Sequence, residues 1–369
     1  MKLTVVIVSY NVRYYLEQCI DSVMRATTDV EREIYVVDND SQDGTIDYLH
    51  ERFGNDIVII ECQHNLGFAR ANNIAIRQST GEYVLLLNPD TFVAETAIKT
   101  ALQFMEEHTK AGGVGIKMYN ADGTVAPESR RALPTPYISL MKMLGRSKRY
   151  YMSHLSWDEP GQMEVMSGAF CMVRREVLDK VGMLDKDFFM YGEDIDLSYR
   201  IMKGGYENWY VPAKMVHYKG ESTQKTSYRY VHVFYQAMLI FFRKHYSHLS
   251  FIVTLPIKLA IYFRAFIALI QMQYRRLRQS LGFHGKQADE VLFLYKGPKR
   301  TLNGFTKLAR RKGLMLTTDA TVTPLCVVYD TSAYSYEQII EDMTHYEHAM
   351  LGTYNYKSNI LITPTEIFK

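Results

Sequence analysis

Four short apolar runs, Leu3–Val8, Glu33–Val37, Ile57–Glu61 and Tyr83–Leu87, alternate with four segments of helical period: Val12–Ala26, Gly44–Phe53, Gly67–Gln78 and Ala94–His108. Strands spaced by helices in this way pair in parallel through right-handed crossovers, which restricts the chain to an α/β class with a doubly wound, mostly parallel sheet. The fourth run matters most. Tyr83-Val-Leu-Leu-Leu87 passes without a polar break into Asn88-Pro89-Asp90, the pattern of a strand buried on both faces that ends in a polar turn. Ligands of open α/β sheets bind beyond the carboxyl ends of such strands, so Asp90 is a candidate site residue. The competing reading is a plain turn with a helix cap before Thr91.

Further along, Gly112–Met118 reads as a strand and Asn120-Ala-Asp-Gly123 as a hairpin-type turn. Ala132 to Pro160 is Pro-interrupted and rich in Met and Tyr, with Lys142, Arg146, Lys148 and Arg149 and no acid before Asp158. It reads as a mobile or surface-seeking insertion. Glu164–Val173 resumes strand character, Asp194–Lys203 is helical up to Gly204-Gly205, and Trp209–Tyr218 is extended and brings His217 to the end of the sheet. Tyr228–His245 is a long aromatic helix.

Phe251–Met272 is the most hydrophobic stretch and long enough to raise the question of a membrane span. Pro256, Lys258 and Arg264 argue against spanning, because a central charge costs about 2.5–3.5 kcal/mol. Continued as a helix, the stretch aligns Arg264, Gln271, Arg275 and Arg278 on one stripe. The expectation is a helix lying in the membrane interface, the alternative a buried helix of a C-terminal bundle. From Asp289 onward, strands Val291–Tyr295, Cys326–Tyr329 and Ile360–Thr363 and helices Leu302–Arg311 and Tyr336–Tyr346 outline a small separate α/β unit. It has no Gly-x-Gly-x-x-Gly loop, so cofactor binding there is not indicated. The basic turn Lys296-Gly-Pro-Lys-Arg300 reads as solvated.

Composition narrows the partners. The 369 residues can bury one large core and a smaller second one, and the net charge of +3 gives no reason to expect nucleic acid. Charge is unevenly spread: eleven Lys/Arg face two acids between Arg275 and Lys312, whereas seven acids face two lysines from Gly313 on. The four cysteines, Cys19, Cys62, Cys171 and Cys326, form no CxxC pair, so neither a zinc site nor a disulfide framework is expected. Met1-Lys2 leads straight into the first strand without a signal peptide, and a cytosolic chain is expected.

Strand ends supply the chemistry. Ser9 and Tyr10 end the first strand and Asp38 the second, a pairing suited to a planar base and a ribose. After the third strand, Gly67 opens a helix with Arg70 in its first turns, a setting suited to a diphosphate. Each residue also has an ordinary explanation: a cap for Asp38, a surface charge for Arg70, and acids complementing a helix dipole for Glu193-Asp194. Asp196 and Arg200 fit a plain helical ion pair.

Val-Ser-Tyr-Asn, Val-Val-Asp-Asn-Asp-Ser, Asn-Leu-Gly-Phe-Ala-Arg-Ala-Asn-Asn, Leu-Leu-Leu-Asn-Pro-Asp, Ser167-Gly-Ala-Phe170 and Phe189-Met-Tyr-Gly-Glu-Asp-Ile-Asp-Leu-Ser-Tyr-Arg200 occur together and in order. Over about residues 1–245 the chain thereby resembles the inverting glycosyltransferases of family 2, of GT-A fold, and within them the rhamnosyltransferase-like branch. The resemblance implies that Ser9, Tyr10 and Asp38 hold the nucleoside and Arg70 the ribose-diphosphate side. It implies that Asp90 and His217 bind a divalent ion, Mg²⁺ or Mn²⁺, beside Asn88, which stands where the family's Asp-x-Asp has its first carboxylate. It makes Asp194 the catalytic base, with Glu193 and Asp196 the neighbours that could be confused with it.

The implied organisation is a GT-A catalytic domain (1–227), a helical membrane-associating region (228–288) and a small α/β domain of unassigned role (289–369). The implied partners are a nucleotide diphosphate sugar, dTDP-rhamnose ahead of a UDP-sugar, and a glycan or lipid-linked glycan acceptor at the inner face of the cell membrane. A homo-oligomer is compatible with all of this. Two rival functions are weaker. A sugar-nucleotide nucleotidyltransferase needs a Gly-rich, Arg-containing loop after the first strand, where this chain has Ser9-Tyr-Asn-Val-Arg13. A catalytically degenerate, membrane-attached binding protein is suggested by Asn88 but opposed by the intact Asp90, Asp194 and His217.

Overall fold

The structure, a computed structural model, describes residues 1–218, 228–246, 292–346 and 348–369, together with ten separate residues between 255 and 277. In the first part, β1 (Leu3–Ser9), α1 (Arg13–Ala26), β2 (Arg32–Asp38), α2 (Thr45–Phe53), β3 (Val58–Glu61), α3 (Phe68–Gln78) and β4 (Tyr83–Leu87) follow the expected alternation. They are followed by β5 (Thr91–Val93), α4 (Ala97–Glu107), β6 (Ala111–Asn120), α5 (Pro136–Met143), β7 (Gly161–Met163), β8 (Phe170–Arg174), α6 (Arg175–Val181), α7 (Glu193–Lys203), β9 (Glu207–His217) and α8 (Tyr228–His245). The strands form one sheet in the order β3-β2-β1-β4-β8-β6-β9-β5, with β7 on β9.

Strands β3, β2, β1 and β4 are parallel; β8 runs antiparallel to both β4 and β6, and β5 and β7 antiparallel to β9. Every residue of β1 and β4 is buried, as expected of strands covered by helices on both faces. One apolar layer is built around Leu16, Ile20, Phe92, Ile98 and Met105, the other around Ala71, Ile76, Val173, Leu178 and Leu197.

Three expectations need correction. Thr91–Val93 continues as a short buried strand, so Asn88-Pro89-Asp90 is not the cap of a following helix. The strand expected over Glu164–Val173 is shorter, because Ser167-Gly-Ala forms a loop ahead of Phe170. Ala132–Pro160 is not simply a surface insertion: Leu133 and Tyr150 are buried, while Tyr137, Leu140 and Leu144 face outward.

In the C-terminal part, β10 (Leu292–Lys296), α9 (Lys299–Lys312), β11 (Met315–Thr317), β12 (Cys326–Asp330), α10 (Tyr336–Met343), β13 (Met350–Asn355), β14 (Ile360–Ile362) and β15 (Ile367–Phe368) form a second sheet. Its order is β11-β10-β12-β13-β14-β15, parallel through β13 and antiparallel beyond. Tyr336, Ile339, Ile340 and Leu351 of this part share one apolar cluster with Leu16, Phe92 and Val216 of the first. Helix α8 lays Ala237 and Phe241 against Phe188 and Ile195, beside the start of α7.

The segment leading into α7 is held by a close backbone approach. Gly67 has φ +80°, and a Cβ there would lie 2.4 Å from the carbonyl oxygen of Phe189, the oxygen that accepts from the Phe68 amide at 2.7 Å. Gly67→Ala should therefore cost about 1–3 kcal/mol of stability, the range for strained positive-φ backbone. Chemical denaturation of the two proteins measures this, and equal midpoints would mean that the 189–194 segment yields freely.

Candidate active site

Strands β4 and β9 bring three polar side chains together. The short antiparallel pairing of β5 with β9 sets Thr91 opposite His217, and the Tyr218 amide donates to the Asp90 carbonyl at 3.0 Å. As a result His217 Nε2 lies 3.3 Å from Asp90 Oδ1 and 3.5 Å from the Asn88 amide. The Asn88 backbone is tied down: its N–H donates to the Ala169 carbonyl, and its own carbonyl accepts from Thr91 Oγ1 at 2.7 Å. An imidazole nitrogen and a carboxylate oxygen about 3 Å apart match two neighbouring ligands of one octahedral ion with bonds of about 2.1 Å, and the Asn88 amide oxygen can supply a third. The donor set thus fits a hard divalent ion. Among the described residues no group of three His, Cys, Asp or Glu side chains surrounds a single point.

Asp194 sits in the first turn of α7, behind Gly192, whose φ of 86° makes the turn into the helix. Its Oδ2 accepts from Arg131 Nη2 at 2.5 Å and from the Gly168 amide at 3.3 Å. Its Oδ1 accepts only the Ile195 amide, at 2.8 Å, among the described residues. A carboxylate oxygen has room for about two donors, so Oδ1 is the atom free to take a proton. Arg131 also donates to the Met166 carbonyl. Burial opposes its charge, but the Asp194 carboxylate and the Tyr150 hydroxyl more than offset this and raise its pKa.

Asn88, Asp90, His217, Asp194 and Arg131 line one cleft of about 420 Å³, together with Asn39, Glu128, Lys142, Tyr150, Tyr151 and Phe234. The basic segment 132–160 therefore forms a wall of this cleft. Ser9 and Asp38 are register partners on β1 and β2 and adjoin the cleft through Val8 and Asn39. Both carry unspent polar atoms: among the described residues Ser9 Oγ and Asp38 Oδ1 are buried without a hydrogen-bond partner, while Asp38 Oδ2 accepts the Ser41 amide at 2.9 Å. Burial pushes the Asp38 carboxyl above its ordinary range. Tyr10 is 39% exposed at the same strand end.

Arg70 does not line this cleft. Its Nε donates to the Lys186 carbonyl, and it faces a second, basic depression with Lys186 and Arg243. Asp196 is accounted for by its partners, Arg200 at 2.8 Å and His245 Nε2 at 2.6 Å, and takes no part in the cleft. Arg131, Tyr150 and Asn39 are the residues that sequence reasoning missed. The one available signal was the adjacent pair Arg130-Arg131, since the partner of Arg131 is 63 positions away.

The family model described as Glycosyl transferase family 2 matches residues 4–182. Over 268 residues the chain is 30% identical to the N-acetylglucosaminyl-diphospho-decaprenol L-rhamnosyltransferase of Mycobacterium tuberculosis, an alignment that covers 66% of this chain and 85% of that protein. It is 25% identical over 214 residues to the poly-beta-1,6-N-acetyl-D-glucosamine synthase of Staphylococcus aureus, covering 58% of this chain and 48% of that one. Among solved structures, S. aureus TarS aligns with a TM-score of 0.46 and 18% identity, over 66% of this chain and 40% of that one. GalNAc-T7 with UDP, GalNAc and Mn²⁺ aligns with a TM-score of 0.47 and 18% identity, over 63% and 47%. The chain belongs to glycosyl transferase family 2 and is a glycosyltransferase. Its curled, mostly parallel sheet is of the GT-A type that the sequence motifs imply.

A second acid in the cleft behaves differently from Asp194. Glu193 is buried, its Oε2 has no partner, and burial, followed by the charge of Asp194, raises its pKa to about 8. In the unfolded chain it would ionise near about 4.3. Between those values the folded protein keeps a proton that the unfolded chain releases, so this residue makes stability fall as pH rises through the window. Glu193→Gln, neutral throughout, should match wild type in acid and become progressively more stable than it up to about pH 8. Denaturation of both proteins across that range checks this; parallel curves would mean that Glu193 is already ionised.

Proposed function

We propose that this glycosyltransferase inverts the anomeric centre and moves L-rhamnose from dTDP-rhamnose to a hydroxyl of a lipid-linked or growing surface glycan. One observation carries the reading: a single cleft holds the Asp90–His217 pair and, separately, a carboxylate whose free oxygen is oriented by a part-buried arginine. Asp194 Oδ1 takes the proton of the acceptor hydroxyl, whose oxygen attacks the anomeric carbon as the bond to the diphosphate oxygen breaks on the opposite face. Arg131 holds Asp194 in position throughout. Asp90 and His217, with the Asn88 amide, would hold Mg²⁺ or Mn²⁺, which when bound supplies positive charge for the departing diphosphate. Asp38, Ser9 and Tyr10 receive the base and ribose, the first two through their unpaired buried oxygens. Arg70 serves the ribose-diphosphate side by swinging from its Lys186 contact.

Support for the sugar and the acceptor comes from the mycobacterial relative, which is named for L-rhamnose and for a diphospho-decaprenol acceptor. Support for the membrane comes from a stripe of apolar side chains. Leu255, Leu259, Tyr262, Phe266, Ile270 and Leu277 are helical, three, four or seven residues apart, and 44–71% exposed. Among the described residues no helix is long and apolar enough to cross a membrane. In sequence Arg275, Arg276 and Arg278 follow, each contributing about 1 kcal/mol near an anionic surface. We place the chain on the cytoplasmic face of the cell membrane, bound peripherally through residues 228–288, with residues 1–227 as the catalytic domain.

Two measurements bear on this reading. Asp194→Asn should lower turnover by roughly 10²–10⁴-fold while dTDP-rhamnose still raises Tm in the presence of Mg²⁺ or Mn²⁺ as it does for wild type. Undiminished turnover would remove Asp194 from its role, and stabilisation by another nucleotide sugar alone would change the donor. For the membrane, wild type should co-sediment with anionic vesicles more than with neutral ones, and high salt should weaken this. Replacing Arg275, Arg276 and Arg278 by Glu should release most of it, and a wild type that stays in the supernatant at low salt would overturn the peripheral placement.

A further inference from the structure

The C-terminal part reaches the back of the candidate metal pair. Tyr218, next to His217, is 4% exposed, and its amide bonds the Asp90 carbonyl. Its hydroxyl lies 3.1 Å from Gln18 Oε1 on α1 and 3.3 Å from Thr353 Oγ1, which belongs to the middle of β13. Gln18 Nε2 closes the triangle by donating to Thr353 Oγ1 at 3.0 Å. All three side chains are buried, so each hydrogen bond replaces one that water cannot supply. The ring of Tyr218 is gripped as well: Tyr15 stands edge-on at 5.1 Å, and its hydroxyl donates to the Thr363 carbonyl at 2.6 Å.

We infer that the C-terminal unit is a positioning element of the Asp90–His217 pair, with Thr353 and Gln18 fixing the Tyr218 phenol and, through the Tyr218 backbone, the spacing of the two side chains. The geometry has a short lever. Tyr218 is covalently next to one member of the pair and hydrogen-bonded through its backbone to the other, so a displacement of its side chain that shifts its backbone moves both. Thr353 is the only contribution from the C-terminal sheet to this polar triangle, and it acts through Tyr218 without lining the cleft. This inference rests on the reading of Asp90 and His217 as metal ligands.

The test is the affinity of the full chain for dTDP, measured by calorimetry with and without Mn²⁺, so that no turnover is needed. In wild type Mn²⁺ should tighten dTDP binding. Tyr218→Phe and Thr353→Val should each reduce that gain by about ten-fold, the lower end of what residues supporting a metal ligand contribute, and leave metal-free binding of dTDP unchanged. Thr353→Ser, which keeps the hydroxyl, should restore the gain. Glu95→Gln provides the structural comparison: it weakens the acceptor of the Tyr336 and Glu337 amides at the same interface and should lower Tm without altering the gain. If His217→Ala removes the gain but Tyr218→Phe and Thr353→Val keep it, the positioning role is overturned and the metal reading stands. If His217→Ala keeps the full gain, the metal reading itself fails and takes this inference with it.

Discussion

The part-buried pair of Arg131 and Asp194 is the constraint on which the chemistry of the cleft depends. Two charges removed from water are costly, and their attraction repays this only where the remaining donors and acceptors are also satisfied. Here Arg131 Nη2 has the Met166 carbonyl as well as the carboxylate, and Asp194 has two backbone amides, although Arg131 Nε is left without a partner among the described residues. The pair therefore selects one orientation of the carboxyl group, with Oδ2 spent and Oδ1 available. It also links segment 129–133 to the start of α7, so the wall of the cleft and the Asp194 carboxylate are positioned by a single contact. Glu193, one residue earlier, lacks such a partner among the described residues, and its burial pushes its carboxyl up.

At the other end of the cleft the arrangement is the reverse. Ser9 Oγ and Asp38 Oδ1 are buried without partners, and each such atom costs about 1–3 kcal/mol. A fold retains such atoms where a ligand completes them, and both stand at the carboxyl ends of adjacent parallel strands, where the sheet leaves a crevice. Ahead of these ends the strands are buried and mostly apolar, over residues 5–8 and 34–37, so the core meets the cost of the ends. Asn88 and Asp90 likewise stand at a carboxyl strand end, following the buried β4.

Where a feature depended on local period, the sequence reading and the structure coincide: β4 has the bounds Tyr83–Leu87 in both, and α8 the bounds Tyr228–His245. Where it depended on distant pairing, they diverge. Thr91–Val93 is too short to show a period and is a strand only because β9 lies beside it. The strand Met350–Asn355 was hidden by Gly352, a position where a Cβ would come within 2.9 Å of Val328; close packing demanded the residue that weakens the strand signal. Motif order brought Asp90, His217 and Asp194 to one cleft in advance. It carried nothing about Arg131, whose importance lies in a partner far along the chain, and it did not foresee that Arg70 would turn toward Lys186.

The same distinction bears on how far the C-terminal part can be treated as a separate body. Its sheet is its own, but Tyr336 packs on Phe92 at 4.9 Å and is buried with it, and Tyr15 and Tyr218 are covered partly by β13 and the residues after β14. Fully burying one large apolar side chain is worth about 1.5–3 kcal/mol. Uncovering Tyr15, Phe92 and Tyr218 together would therefore remove an amount comparable to the roughly 5–15 kcal/mol by which a whole domain is stable. Those three residues belong to α1, to β5 and to the position after β9, the elements that set Asp90 against His217. The stability of this interface and the geometry of the cleft thus depend on the same side chains.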